Sequence, residues 1–161
     1  MPTNQISIRP MTLEEYDVWA PASIRNFAAD KIRSGNWSAE ESGEKSRKMH
    51  LELLPHGVKT EGHQFYTIVD AGDANYGMLW IFVRPEEKPA QKQAFIYDIE
   101  INSEHRGQGI GSKAMAALEE TCRNQNIGSI NLHVFGHNPG ARKLYNRLGF
   151  EETNIQMRKI L

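Results

Sequence analysis

A single cysteine, Cys122, stands in 161 residues, so no disulfide framework can form within the chain, and a reducing compartment is expected. No apolar run approaches the roughly 20 residues that cross a bilayer, and the opening MPTNQISIRP has none of the blocks of a signal peptide. Charge of one sign is missing too. The 19 Lys and Arg against 20 Asp and Glu leave a formal net charge of −1. That balance gives no electrostatic reason to expect nucleic acid or a membrane surface as partner. No internal repeat, low-complexity tract or linker-like break interrupts the chain. Together these absences predict one cytoplasmic domain spanning 1–161.

What is present is periodic. QISIRP alternates apolar and polar residues and stops at Pro10, as a short first strand does. Thr12 with Glu15, and Ser38 with Glu41, have capping-box spacing, which predicts helices from about Leu13 to Arg33 and from about Ala39 to Leu54. HQFYTIVD and NYGMLWIFV, separated by AGDA, have the composition of a hairpin, in which Tyr76, Trp80 and Phe82 are simplest as core aromatics. A polar loop, RPEEKPAQK, then leads to the strand AFIYDIEI. A helix from about Gly109 to Asn124, the strand SINLHV, a helix from Pro139 to Leu148 and a last strand in TNIQMRKIL complete the order. The second half contains a βαβ unit, whose strands should lie parallel, whereas the first half supplies antiparallel pairing. The expected fold class is mixed α/β, with a central mixed sheet and helices on both faces.

The stretch EHRGQGIGSKAMAALEE crowds Gly107, Gly109 and Gly111 in front of a good helix. Glycine there means either backbone angles that other residues resist or something lying close to the main chain. A glycine turn between a strand and a helix aims backbone N–H groups and the positive helix end at one spot, which suits phosphate. The Walker form and the dinucleotide form GxGxxG both fail at Ser112, where each needs glycine.

RGQGIG does fit R-x-x-G-x-G, and HNPGARKLYNRLGF downstream fits N-x-x-A-x-x-L-Y-x-x-x-G-F. With these two motifs in order, the sequence resembles the GCN5-related N-acetyltransferases (GNAT), which move an acyl group from coenzyme A to an amine. The motif-bearing region covers about residues 95 to 152. The resemblance implies acetyl-CoA as co-substrate and no metal. It implies that the amides of Gln108 to Ser112, with Gly107, Gly109, Ile110 and Gly111 in the loop, hold the coenzyme A pyrophosphate. It also implies that the two parallel strands splay, with the pantetheine arm filling the gap against main-chain groups of Ile99 and Ile101.

Each site residue also has a plain reading. Arg106 is either a helper cation for the phosphates or a solvated arginine. Asn138 before Pro139 is a good helix N-cap, and the resemblance sets it beside the coenzyme A arm as well. Gly149 suits the left-handed residue that ends a helix. Tyr145 belongs to an apolar stripe with Ala141, Leu144 and Leu148. Matched to the family motif, it is the tyrosine whose hydroxyl lies near the thioester sulfur, where a phenol can protonate the leaving thiolate. Asp98 and Glu100 share a strand face and are the candidate bases, or else readers of a cationic substrate. Phe95 and Ile96 are apolar where some relatives carry a glutamate. Ile110, Ala114, Leu118 and Cys122 make a core stripe, which leaves Cys122 a poor nucleophile. His133 is expected in the core.

The expected function is acyl-CoA-dependent N-acyltransfer, with acetyl the favoured group and the amine attacking the thioester directly. The acceptor is a small-molecule or protein amine, with room left for a homodimer. A longer acyl donor and a catalytically silent coenzyme A-binding sensor are the competing readings.

Overall fold

Hydrogen bonds local in sequence set the first helices. The computed structural model describes residues 5–84 and 92–161. After strand β1 (Ser7–Pro10), Thr12 caps helix α1 (Leu13–Arg33): its hydroxyl accepts from the Glu15 N–H at 3.2 Å, and the Glu15 carboxylate accepts from the Thr12 N–H at 2.9 Å. This pairing satisfies amide groups that a helix start leaves open. The Ser38 N–H donates to Glu41 in the same way at the start of α2 (Ala39–Leu53). The Glu15 carboxylate does a second job. It accepts from the Thr67 hydroxyl at 2.7 Å and from both terminal nitrogens of Arg9, tying α1 to the sheet.

The sheet has the order β1-β2-β3-β4-β5, with β2 at His63–Val69, β3 at Asn75–Arg84, β4 at Gln93–Ile101 and β5 at Ser129–Leu132. All neighbours are antiparallel except β4 and β5, which are parallel and joined through helix α3 (Ile110–Asn124). Side chains alternate across β3, and the alternation separates two cores. Leu79, Ile81 and Val83 pack with Met115, Leu118 and Cys122 of α3. Met78 and Trp80 face the other way, onto Tyr16 and Trp19 of α1. Helices thus cover both faces, and helix α4 (Pro139–Arg147) follows β5. The stripe Ile110, Ala114, Leu118 and Cys122 is buried throughout. Gly77 stands where β3 and β4 approach closely; a Cβ there would collide with the Glu100 carbonyl.

Two expectations are corrected. No strand forms in TNIQMRKIL: residues 151–161 have no regular structure and are all exposed. The strand SINLHV stops at Leu132, and His133 is exposed rather than a core residue. The expected polar loop over RPEEKPAQK lies, from residue 85 to 91, outside the described residues.

Candidate active site

The site begins with a fault in the sheet. Trp80 pairs with Asp98 and Ile81 with Ile96, so Tyr97 is an extra residue in β4. Such a bulge bends the strand and re-aims its side chains. Pairing between β4 and β5 covers only Gln93–Ile96 and Ser129–Leu132. Beyond Ile96, β4 has no β5 partner among the described residues, so the parallel strands part, as the sequence resemblance implied. A cleft of about 1180 Å³ opens there between the sheet, α1, α2 and α4. Its walls include Phe27 and Asp30 of α1, Trp80, Tyr97, and Phe135 after β5. Trp80 stacks on Tyr97 with ring centres 4.7 Å apart. Its indole N–H donates to His63 Nδ1 at 3.0 Å, so one edge is fixed while the other borders the cleft.

Asp98 and Tyr145 both face this cleft. Burial pushes the Asp98 carboxyl up to about 6, and the nearby Glu100 and Asp30 carboxylates push the same way. The Ile99 N–H and the Trp19 indole favour the charged form and offset part of this. The Trp19 Nε1 is buried and makes no hydrogen bond of ordinary length, so its pull on Asp98 is that of a close dipole. Burial also raises the Tyr145 phenol, and the Asp98 charge adds to that shift. Tyr145 therefore stays protonated at neutral pH, while Asp98 loses its proton just below it. Tyr145 is held from its far side by Phe150, edge to face at 5.5 Å.

Glu100 differs from Asp98. Its side chain is 44% exposed and sits 3.7 Å from Arg106. Arg106 also donates to the Ile101 carbonyl at 2.9 Å, which holds its guanidinium beside the glycine loop.

In that loop Gly107 and Gly109 have φ of 72° and 77°. A Cβ on either would meet no atom of the chain within 4 Å. The backbone angle, and not internal crowding, demands glycine at both. Gly111 is different: its φ is not left-handed and a Cβ there would come no closer than 3.4 Å, to the end of the Leu144 side chain, so neither backbone angle nor crowding demands glycine. Among the described residues the amides of Gly107 to Ser112 donate to no protein acceptor. They stand at the start of α3, with Gly109 as its N-cap. Open amides, open space and an arginine beside them fit a pyrophosphate. Ile110 has only its amide to offer there, since its side chain is buried in the core. Asn138 caps α4, its Oδ1 accepting from the Ala141 N–H at 3.2 Å, and it also lines the cleft. Ile99 and Ile101 run along the parted edge of β4 while their side chains pack in the core below.

The family model for the acetyltransferase (GNAT) family matches residues 27–150. The chain belongs to the GNAT family. Over 97% of its length this N-acetyltransferase is 36% identical to YycN of Bacillus subtilis, an uncharacterized N-acetyltransferase of which the match covers 99%. It is 36% identical, over 96% of its length and 98% of that relative, to YdgE, another uncharacterized N-acetyltransferase of the same organism. The solved structure of YycN superimposes with a TM-score of 0.91, covering 97% of this chain and 98% of that one. The BH1408 protein of Bacillus halodurans, at 21% identity and a TM-score of 0.70, shares the fold over 96% of this chain and 98% of its own.

Among the residues marked in the sequence, the fold brings Asp98, Glu100, Arg106, Asn138 and Tyr145 of this GNAT protein to one cleft. The sequence reading missed Asp30, Phe27, Trp80, Tyr97 and His133. Phe27, Asp30 and Lys31 have helical i, i+3, i+4 spacing, which could have marked one functional face. The bulge that turns Tyr97 outward left no mark in the sequence.

Proposed function

We propose that this acetyltransferase transfers the acetyl group of acetyl-CoA to a primary amine by direct attack of the amine, with Asp98 as base and Tyr145 as acid. The observation that supports this most is the shared cleft: a carboxyl poised near pH 6 and a neutral phenol face the gap where β4 and β5 part. An incoming ammonium must lose a proton before it can attack, and ionised Asp98 can accept it directly or through a water. Tyr145 can donate its hydroxyl hydrogen to the thiolate that leaves, and its phenolate then takes up the second proton that the nitrogen loses as the amide forms. Bound acetyl-CoA supplies the activated thioester. The open amides of Gln108 to Ser112, with Gly107, Gly109 and Arg106, would hold its pyrophosphate, and the parted edge of β4 at Ile99 and Ile101 its pantetheine arm. A main-chain N–H on that edge would polarise the thioester carbonyl.

Cys122 supports direct transfer by its position. It is 2% exposed in the core, and burial pushes its thiol up to about 11. A thiol so placed cannot carry the acyl group. Glu100, paired with Arg106, is assigned to positioning and charge rather than to proton transfer. The acceptor is a small-molecule or protein amine, and the cytoplasmic setting expected from the sequence belongs to the same proposal.

Release of coenzyme A thiol from acetyl-CoA, measured against amines graded by size and charge, tests this. Release with one class of amine is expected. Tight acetyl-CoA binding with no release by any amine would instead make the protein a silent coenzyme A-binding module.

A further inference from the structure

Part of the cleft is not used by the proton transfers at Asp98 and Tyr145. Phe65, Trp80 and Tyr97 form one stack across the sheet: Phe65 on Trp80 at 5.3 Å and 22°, and Trp80 on Tyr97 at 4.7 Å and 18°. Phe65 and Trp80 are 5% and 6% exposed, whereas Tyr97 is 40% exposed and lines the cleft. The stack therefore ends in the cleft, on a ring with open surface. That ring is held by protein on its other sides. His63, whose Nδ1 accepts from the Trp80 indole N–H at 3.0 Å, lies 5.6 Å from the Tyr97 ring. Phe95 meets it edge to face at 5.1 Å. An open aromatic surface so fixed favours a further ring, stacked offset or edge-on.

The bulge gives this ring its chemical neighbour. Adjacent residues of a regular strand face opposite ways. Because Tyr97 is the extra residue of β4, Tyr97 and Asp98 both line the cleft. An aromatic surface and a carboxylate thus stand side by side on one strand.

Charge limits what can lie there. The described residues give the cleft the carboxylates of Asp30, Glu52, Asp98 and Glu100. Asp30 is 2.7 Å from Arg33, Glu52 is 4.0 Å from Lys48, and Glu100 is 3.7 Å from Arg106. Asp98 makes no ion pair among the described residues, so the site has one place for an ammonium. A second ammonium would find each remaining carboxylate already paired. It would also face the Lys31 ammonium, which lies on the cleft wall 5.3 Å from the Phe27 ring centre and 6.0 Å from that of Phe135. Two like charges at close quarters disfavour each other.

We infer that the acceptor is a small primary amine with a single positive charge and a planar apolar group, its ring laid on Tyr97 as the next member of the stack and its ammonium beside Asp98. This rests on acetyl transfer as the reaction of the site, and it narrows the amine. Tyr97 reads the ring, and Trp80 and His63 position Tyr97.

Thiol release from acetyl-CoA is measured with tryptamine and phenylethylamine, with hexylamine (one charge and no ring), with spermidine, and with a peptide bearing a free N-terminus. The ring amines should give a kcat/KM about 10-fold or more above each of the others. Tyr97→Leu should raise KM for tryptamine about 10-fold, and Tyr97→Phe should restore it, with melting temperatures showing that both are folded. Calorimetry of tryptamine binding to the protein with coenzyme A present separates this inference from the reaction it rests on. Binding that Tyr97→Leu weakens, without thiol release, would uphold the ring subsite and strike the acetyl transfer. Release led by hexylamine, spermidine or the peptide would uphold acetyl transfer and overturn the inference. So would a KM for tryptamine indifferent to Tyr97→Leu, or neither binding nor release with either ring amine.

Discussion

Asp98, the proposed base, would serve catalysis at the expense of stability. Its carboxyl is raised to about 6 from an ordinary value near 3.8, chiefly by burial. The sign follows from linkage: the folded state holds the proton more tightly, so this group favours folding below pH 3.8 and loses that contribution as pH rises through about 6. Above that pH the protein carries in its cleft a carboxylate whose desolvation is only partly offset. As a base, however, only the carboxylate works. Turnover at saturating substrates should therefore climb with pH to a plateau above about 6. Asp98→Asn should lower the turnover number about 100-fold or more and remove that rising limb. At pH 7 the same variant should melt no lower than the parent, since it replaces a buried charge with a neutral amide. Lost activity with an unchanged pH profile would dismiss Asp98 as the base. The sequence marked this residue but could not separate it from Glu100, because both lie on one strand and only their surroundings differ.

At the scale of elements, the glycine loop and the bulge do the positioning. Gly107 and Gly109 take left-handed backbone angles facing open space, whereas Gly111 has neither a left-handed angle nor a close neighbour. Identical letters in RGQGIG are thus not equally demanded by the backbone. Asparagine tolerates the left-handed region better than other side chains do, so Gly109→Asn should keep the turn while placing an amide group in the cradle. The Michaelis constant for acetyl-CoA should rise 10-fold or more, with a change of a few degrees at most in melting temperature. An unchanged constant would move the phosphates elsewhere. Motif spacing made the loop and α4 legible, as their hydrogen bonds are local. The bulge at Tyr97 was not legible, because a register shift arises from what β3 and β5 present to β4 and not from β4 itself. The expected strand in TNIQMRKIL failed for a related reason: a strand pattern states a capacity to pair, and pairing needs a partner within reach.

For the whole molecule, the join between α1 and the sheet matters most, since α1 also forms a wall of the cleft. Glu15 makes that join. Its carboxylate accepts from Arg9, the Thr12 N–H and Thr67, and the Arg9 guanidinium holds its carboxyl down at about 2 from an ordinary 4.5. A depressed pKa gives stability that is present above pH 4.5 and lost as pH falls toward 2. Glu15→Gln should destabilise the fold by about 1–2 kcal/mol at pH 7. Melting curves of parent and variant should converge between pH 4.5 and 2; a constant gap would mean the charge is not what holds α1. The amino-acid sequence by itself determined the element order as far as α4, the two capped helices, the glycine turn before α3 and membership of the GNAT family. These depend on interactions within a few residues or on motifs of fixed spacing. The tertiary structure alone decided that the Asp98 carboxyl is desolvated while the Glu100 side chain stays 44% exposed, that Phe27, Trp80 and Tyr97 border the cleft, and that residues 151–161 form no strand. Each of those depends on groups far apart in the chain, and desolvation and strand pairing exist only once the elements have come together.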